Sequence, residues 1–137
     1  MRILGIDPGL TRCGVGIVDV DSKRNLTLVD VFVIKTASTT PLAQRLLALE
    51  QGLTEAIDRH RPDRVAIERV FAQHNVRTVM GVAQVSGVAI VSAASRDIAV
   101  EMHTPSEVKA AVSGSGRANK QQVASMVARL LNVSVDG

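Results

Sequence analysis

The chain has 137 residues, 46% of them hydrophobic, which is enough for one domain with a core of its own and gives no basis for a second domain. Its 16 basic and 13 acidic residues give a net charge of +3, which favours an anionic partner without identifying one. A single cysteine, Cys13, fits a reducing compartment, and Asp7 interrupts the N-terminal apolar stretch too early for a signal peptide, so we expect a cytoplasmic protein outside any membrane.

The first part of the chain predicts three strands, over residues 1–7, 14–20 and 26–36. Turn residues separate the strands, and such short connections join antiparallel neighbours. After Pro41, apolar side chains recur at helical spacing as far as His60, and they predict an amphipathic helix over one face of the sheet: Leu42, Leu46, Leu49, Leu53 and Ile57.

Residues 63–68 predict a fourth strand, which this helix connects in parallel to the first part of the sheet. A long helix over 73–95 and a strand over 98–103 follow, and two shorter helices begin near Pro105 and Asn119. Together the elements predict an α/β fold in which helices flank a five-stranded mixed sheet.

The long helix over 73–95 is apolar on nearly every side, whereas an ordinary surface helix has a single apolar stripe. One side can pack on the sheet. A second copy of the chain is the simplest cover for the other side, so the pattern predicts a homodimer through this helix. The alternative is that the C-terminal helices of the same chain cover it.

Two carboxylates, Asp7 and Glu68, each end an apolar strand. A right-handed parallel connection would bring these strand ends side by side, within reach of a shared metal ion. Hard oxygen ligands suit Mg²⁺ or Mn²⁺, and a metal held in this way activates water for phosphodiester cleavage. The alternative is that Asp7 caps the turn after its strand and Glu68 caps a loop.

The turn at Pro8-Gly9 offers backbone amides near this site, and we interpret Gly9 as leaving room for a large substrate. Phe71 follows Glu68 by three residues and either stacks on an unpaired base or closes the turn as a core residue. Lys109 and Lys120 are either phosphate contacts or ordinary surface lysines.

Four segments carry a resemblance to a known family: 5–9, 66–71, 104–109 and 119–123. Their sequences, among them Gly-Ile-Asp-Pro-Gly and Ala-Ile-Glu-Arg-Val-Phe, resemble the RuvC family of bacterial Holliday-junction resolvases. The residues within these motifs resemble those of the actinobacterial members of the family. The resemblance covers essentially the whole chain. It implies a single ribonuclease H-like nuclease domain over 1–137, a dimer, and two symmetric nicks across a four-way DNA junction, with Mg²⁺ as cofactor and Mn²⁺ as a substitute.

The same resemblance implies roles for individual residues. Asp7 and Glu68 match catalytic metal ligands, and Phe71 matches an aromatic that acts on junction bases. Lys109 and Lys120 match DNA-binding positions. Arg77 is assigned to DNA binding from its place at the start of the long helix, and RuvA and RuvB are implied as partners.

One departure from the family pattern concerns the C-terminal catalytic helix, which supplies further metal-binding aspartates in a pattern like Asp-Ala-Ala-Asp-Ala-Leu. No such segment occurs in this sequence. Asp136 is not part of this aspartate pattern, and we do not assign it a metal-binding role. We therefore expect an incomplete metal site and impaired cleavage. The alternatives are a junction-binding module without catalysis, another ribonuclease H-like nuclease such as a pre-16S rRNA nuclease, and an actin-like ATPase or phosphotransferase.

Overall fold

The computed structural model describes residues 1–23, 25–68 and 76–103. Their elements, in chain order, are β1 (Arg2–Asp7), β2 (Arg12–Val20), β3 (Leu26–Lys35), α1 (Leu42–His60), β4 (Arg64–Glu68), α2 (Val76–Ala94) and β5 (Ala99–His103). The predicted helices that begin near Pro105 and Asn119 lie outside the described residues.

The five strands form one sheet in the order β3-β2-β1-β4-β5. The hairpins β1–β2 and β2–β3 are antiparallel, whereas β4 is parallel to both β1 and β5. α1 provides the crossover between β3 and β4, and α2 provides the crossover between β4 and β5. The predicted five-stranded mixed sheet is confirmed, and β1 lies at its centre.

The start of β2 differs from the sequence prediction, which placed it at Gly14. The strand begins at Arg12, because Arg12 pairs with Lys35 and Cys13 pairs with Ile34 at the end of β3. Pairing with a distant strand decides this boundary, and the local sequence does not show it.

The core lies between one face of the sheet and the two helices. Alternate residues of the three inner strands point into it, and their partners come from one side of each helix. The main members are Leu4, Ile6, Val15, Ile17, Val65 and Ile67 from the sheet, Leu49, Leu53 and Ile57 from α1, and Val85, Ala89 and Ala93 from α2. Burial of each large aliphatic side chain contributes about 1.5–3 kcal/mol, so this face holds the strands in register.

α1 ends where the sequence predicts. Arg61 adopts a left-handed conformation (φ 47°), its backbone N–H donates to the Ile57 carbonyl at 2.8 Å, and Pro62 follows. Gly52 allows the close approach of α1 to β3, because a Cβ atom there would lie 2.7 Å from Cδ1 of Ile34.

α2 buries one side and exposes the other. Met80, Ile90 and Val91 on the outer side are 57%, 38% and 66% exposed, and Ala83, Gly87 and Ala94 are also exposed. The sequence predicts apolar residues on both sides of this helix. In the structure, one apolar side packs in the core and the other is exposed. Of the helices in the described ranges, none is long and apolar enough to cross a membrane.

Candidate active site

The two carboxylates lie side by side at one edge of the sheet. Asp7 is the last residue of β1 and Glu68 the last of β4, and the parallel register pairs Gly5 with Ala66 and Ile6 with Ile67. The next position in this register places Asp7 beside Glu68, on the sheet face opposite the buried isoleucines. The predicted juxtaposition of these carboxylates is confirmed.

The Asp7 and Glu68 side chains share a hydrogen bond. Burial raises the pKa of Asp7. Burial, followed by the charge of Asp7, raises the pKa of Glu68 to about 7. The Glu68 carboxyl group is therefore the one that holds the proton, and it donates to the Asp7 carboxylate. Without a cation, the pair shares one proton at pH values below about 7.

The donor chemistry of the pair fits a hard divalent cation. Two half-buried carboxylates in direct contact repel when both are ionised, and a bound cation would remove this repulsion. Carboxylate oxygens are the ligands that Mg²⁺ and Mn²⁺ accept. Within the described ranges, no group of three or more His, Cys, Asp and Glu side chains forms a metal site. Among the described residues, the candidate metal site therefore consists of Asp7 and Glu68.

The alternative role for Asp7, as a cap of the following turn, has no support in its hydrogen bonds. Its only side-chain partner within the described ranges is Glu68. The folded turn itself requires a glycine at position 9, because a Cβ atom on Gly9 would lie 2.3 Å from the Arg12 carbonyl oxygen. The glycine allows the turn to close, which differs from our interpretation that it leaves room for a substrate.

Arg45 on α1 holds this turn by contacts that the sequence did not predict. Its Nε donates to Oγ1 of Thr36 at 2.8 Å, and its Nη2 donates to Oγ1 of Thr11 at 3.0 Å. The Thr36 backbone N–H also donates to the Thr11 carbonyl at 3.0 Å. The turn after Asp7 is therefore tied to the end of β3 and to the first turns of α1. In the sequence, Arg45 is simply a polar position in an amphipathic helix.

Cys13 is fully buried close to this turn. Burial, with a smaller effect of the Asp7 charge, raises the pKa of its thiol to about 11, although a hydrogen bond with the Gly9 backbone opposes the shift. The thiol therefore stays neutral at physiological pH. A neutral buried thiol is a packing group rather than a nucleophile or a metal ligand.

A cavity of the described ranges lies away from the carboxylate pair. This cavity, about 330 Å³, lies between β3 and α1 and is lined by residues such as Phe32 and His60. Neither Asp7 nor Glu68 lines it.

Of the other predicted site residues, the structure describes the backbone position of Arg77 alone. Phe71, Lys109 and Lys120 lie outside the described residues. Arg77 lies in the first turn of α2, as predicted, and its role in DNA binding stays a prediction. The register also pairs His103 with Glu68, a proximity that the sequence did not reveal because it depends on the β4–β5 pairing.

Comparison with protein families gives one match over almost the whole chain. Residues 3–136 match the family model for the crossover junction endodeoxyribonuclease RuvC. Proteins of that name from Clavibacter sepedonicus and Streptomyces griseus are 64% and 61% identical over 133 residues, which is 97% of this chain and 65% of each relative. The chain thus spans slightly less than two thirds of the length of these curated relatives.

Solved structures give the same result. The Thermus thermophilus RuvC structure in complex with a Holliday junction substrate is 33% identical, with a TM-score of 0.84 over 96% of this chain and 79% of that chain. The yeast mitochondrial Holliday junction resolvase Ydc2 is 11% identical, with a TM-score of 0.65 over 93% of this chain and 60% of that chain, and it shares the fold alone. The predicted ribonuclease H-like fold is confirmed.

Proposed function

The chain belongs to the RuvC family of crossover junction endodeoxyribonucleases, and we propose that it is a structure-selective nuclease that resolves Holliday junctions by paired symmetric nicks in DNA recombination and repair. The observation that carries the proposal is the Asp7–Glu68 pair at the ends of the adjacent parallel strands β1 and β4. The Thermus relative in complex with a Holliday junction substrate supports four-way junction DNA as the ligand.

In the proposed mechanism, Asp7 and Glu68 would hold Mg²⁺, for which Mn²⁺ would substitute. The chemistry that such a cation would supply when bound is activation of water and neutralisation of the charge that develops on the phosphate. Glu68 must lose its proton before it can act as a ligand, because its pKa is raised to about 7. The short turn fixed by Thr11 and Arg45 holds Asp7 at the strand end while the substrate binds.

We also propose that two copies of the chain form a homodimer through α2. The exposed residues Met80, Ala83, Gly87, Ile90 and Ala94 alternate in steps of three and four residues, which is the spacing of a helix–helix seam. A two-fold dimer would provide two carboxylate sites, as paired nicks require. By family resemblance, we further propose action in the cytoplasm together with RuvA and RuvB.

The first experiment compares binding of the chain to a synthetic four-way junction and to a linear duplex of the same sequence, at fixed salt and with EDTA present. We expect selective binding to the junction. The same DNAs with Mg²⁺ then test cleavage. Because the metal site is expected to be incomplete, we expect slow symmetric nicks, which Asp7→Asn and Glu68→Gln abolish while junction binding remains. Equal binding to junction and duplex would contradict the proposal.

A second candidate is a junction-binding module without catalysis. It is favoured by the observation that Asp7 and Glu68 are the only acidic ligands assembled at the site in the described ranges. Selective junction binding without nicks in Mg²⁺ or Mn²⁺ would identify this function. Cleavage of structured RNA in preference to the junction would instead indicate a ribosomal RNA nuclease.

A further inference from the structure

A group of cations lies on the same edge and the same face of the sheet as the carboxylate pair. Because β2 is antiparallel to β1, β2 begins where β1 ends, and Asp7 pairs with Gly14. Arg12 lies two residues before Gly14 and shares its face, and Arg12 pairs directly with Lys35 at the end of β3. These two cations therefore lie one or two strands from Asp7 and about 7 Å further along the sheet.

The pairing of Arg12 with Lys35 is unfavourable for the chain alone. Like charges directly opposite each other on two antiparallel strands destabilise the pair. Both residues are exposed, and the structure shows no ion pair for either in the ranges that it describes. By contrast, four other arginines of the described ranges, Arg2, Arg59, Arg64 and Arg96, each bind a carboxylate.

Arg45 supports the same strand ends from the other face of the sheet. It donates to the hydroxyl groups of Thr36 and Thr11, which directly follow Lys35 and directly precede Arg12. Because side chains alternate between the two faces of a strand, Thr36 and Thr11 face α1 while Lys35 and Arg12 face away from it. Arg45 therefore fixes the strand ends that carry the two cations.

We infer that Arg12 and Lys35 form a phosphate-binding corner, which holds the DNA strand beside the phosphate that lies at the Asp7–Glu68 site. Such contacts set the position of the strand on the protein. A phosphate between Arg12 and Lys35 also removes their mutual repulsion. The inference rests on the proposed nuclease function and extends it to a DNA-contact surface formed by β2 and β3 where they pair at Arg12 and Lys35.

The test uses a charge-matched control on the same hairpin. Lys35→Ala and Arg12→Ala each remove one positive charge from the corner, whereas Lys23→Ala removes one from the β2–β3 turn at the other end. Junction binding is measured with EDTA over a series of salt concentrations. We expect each corner variant to bind several-fold more weakly at low salt, and the slope of log K against log salt to fall by about 0.9 for each lost phosphate contact. Lys23→Ala should keep the slope of the parent chain.

Thermal unfolding separates lost contacts from lost structure. Because Arg12 and Lys35 repel each other, removal of either charge should leave the unfolding temperature unchanged or raise it, while binding weakens.

The outcomes distinguish the corner from the proposed function. One outcome is that the parent chain prefers the junction while Arg12→Ala and Lys35→Ala keep the affinity and slope of Lys23→Ala. In that case the proposed phosphate-binding corner is wrong, and the proposed function stands. If the parent binds junction and duplex equally and the corner variants still reduce the slope, the corner stands and junction selectivity fails. If the parent binds no DNA, both fail.

Discussion

At the scale of single residues, the Asp7–Glu68 pair links stability to pH. The pKa of Glu68 rises from 4.5 to about 7 on folding, so the folded chain binds more protons than the unfolded chain between these values. A raised acidic pKa contributes stability that is present below the unfolded value and is lost as pH rises through the folded value. The metal-free chain should therefore lose stability from pH 5 to pH 8 relative to Glu68→Gln, by about 1–3 kcal/mol.

The measurement is urea unfolding of both proteins in EDTA across this pH range. Asp19, Asp21 and Asp58 have lowered pKa values and change stability in the opposite sense, so the difference between parent and Glu68→Gln is the informative quantity. Added Mg²⁺ should stabilise the parent at pH 8 much more than at pH 5, because protons compete for Glu68 at the lower pH. A pH-independent difference would contradict the shared proton.

The turn after Asp7 gives a second residue-level prediction. Gly9→Ala would place a Cβ atom 2.3 Å from the Arg12 carbonyl oxygen, so the backbone must move. We expect a loss of about 1–3 kcal/mol in the free energy of unfolding, measured by urea titration. Gly81→Ala is the control, because its Cβ atom would make an ordinary 3.4 Å contact with Cβ of Leu10 in the same turn. A helix glycine replaced by alanine should gain about 0.5–1 kcal/mol.

How far the site could be predicted depends on the kind of information each residue carries. Asp7 and Glu68 could be found from sequence, because a carboxylate that ends an apolar strand is unusual in itself. Gly9 was identified, but its reason is a contact with the Arg12 backbone that appears only once the turn is folded. The hydrogen bonds of Arg45 join three separate segments, and no local pattern signals them.

At the scale of elements, the order and type of the described helices and strands follow from hydrophobic periodicity, whereas boundaries and faces depend on tertiary contacts. The two extra residues at the start of β2 result from its pairing with β3. For α2, the sequence shows apolar residues all round, and only the structure shows which side meets the core. The exposed stripe of Met80, Ala83, Gly87, Ile90 and Ala94 is therefore a specific target.

We predict that Gly87→Arg converts the dimer to a monomer without unfolding the chain. A Cβ atom at Gly87 meets nothing within 4 Å, so the new side chain costs the protomer little, yet it lies in the middle of the proposed helix seam. Leu47→Arg is the control, because it replaces a 53% exposed apolar residue of α1 that lies outside α2. Analytical ultracentrifugation should show a dimer for the parent and for Leu47→Arg. A dimeric Gly87→Arg variant would contradict the seam.

At the scale of the whole molecule, the position of the site follows from topology. The crossover through α1 makes β4 a neighbour of the central strand β1, and parallel neighbours end at the same edge. The sequence predicted this arrangement because its strand and helix order allows few alternatives. The same topology puts the beginning of β2 and the end of β3 at that edge, which explains why Arg12 and Lys35, distant in sequence, pair at the same end of the sheet as Asp7.

If the proposed function is correct, each protomer of the dimer contributes one nick, so a mixed dimer should separate the two cleavage events. A heterodimer of one parent protomer and one Asp7→Asn protomer, purified by different affinity tags, should bind a four-way junction like the parent dimer. In Mg²⁺ it should yield a junction nicked in one strand, because its second site lacks a metal ligand. Electrophoresis under native and denaturing conditions distinguishes this product from two resolved duplexes. Full resolution by the mixed dimer would show that one site can cut both strands, and the two-fold arrangement of sites would then be wrong.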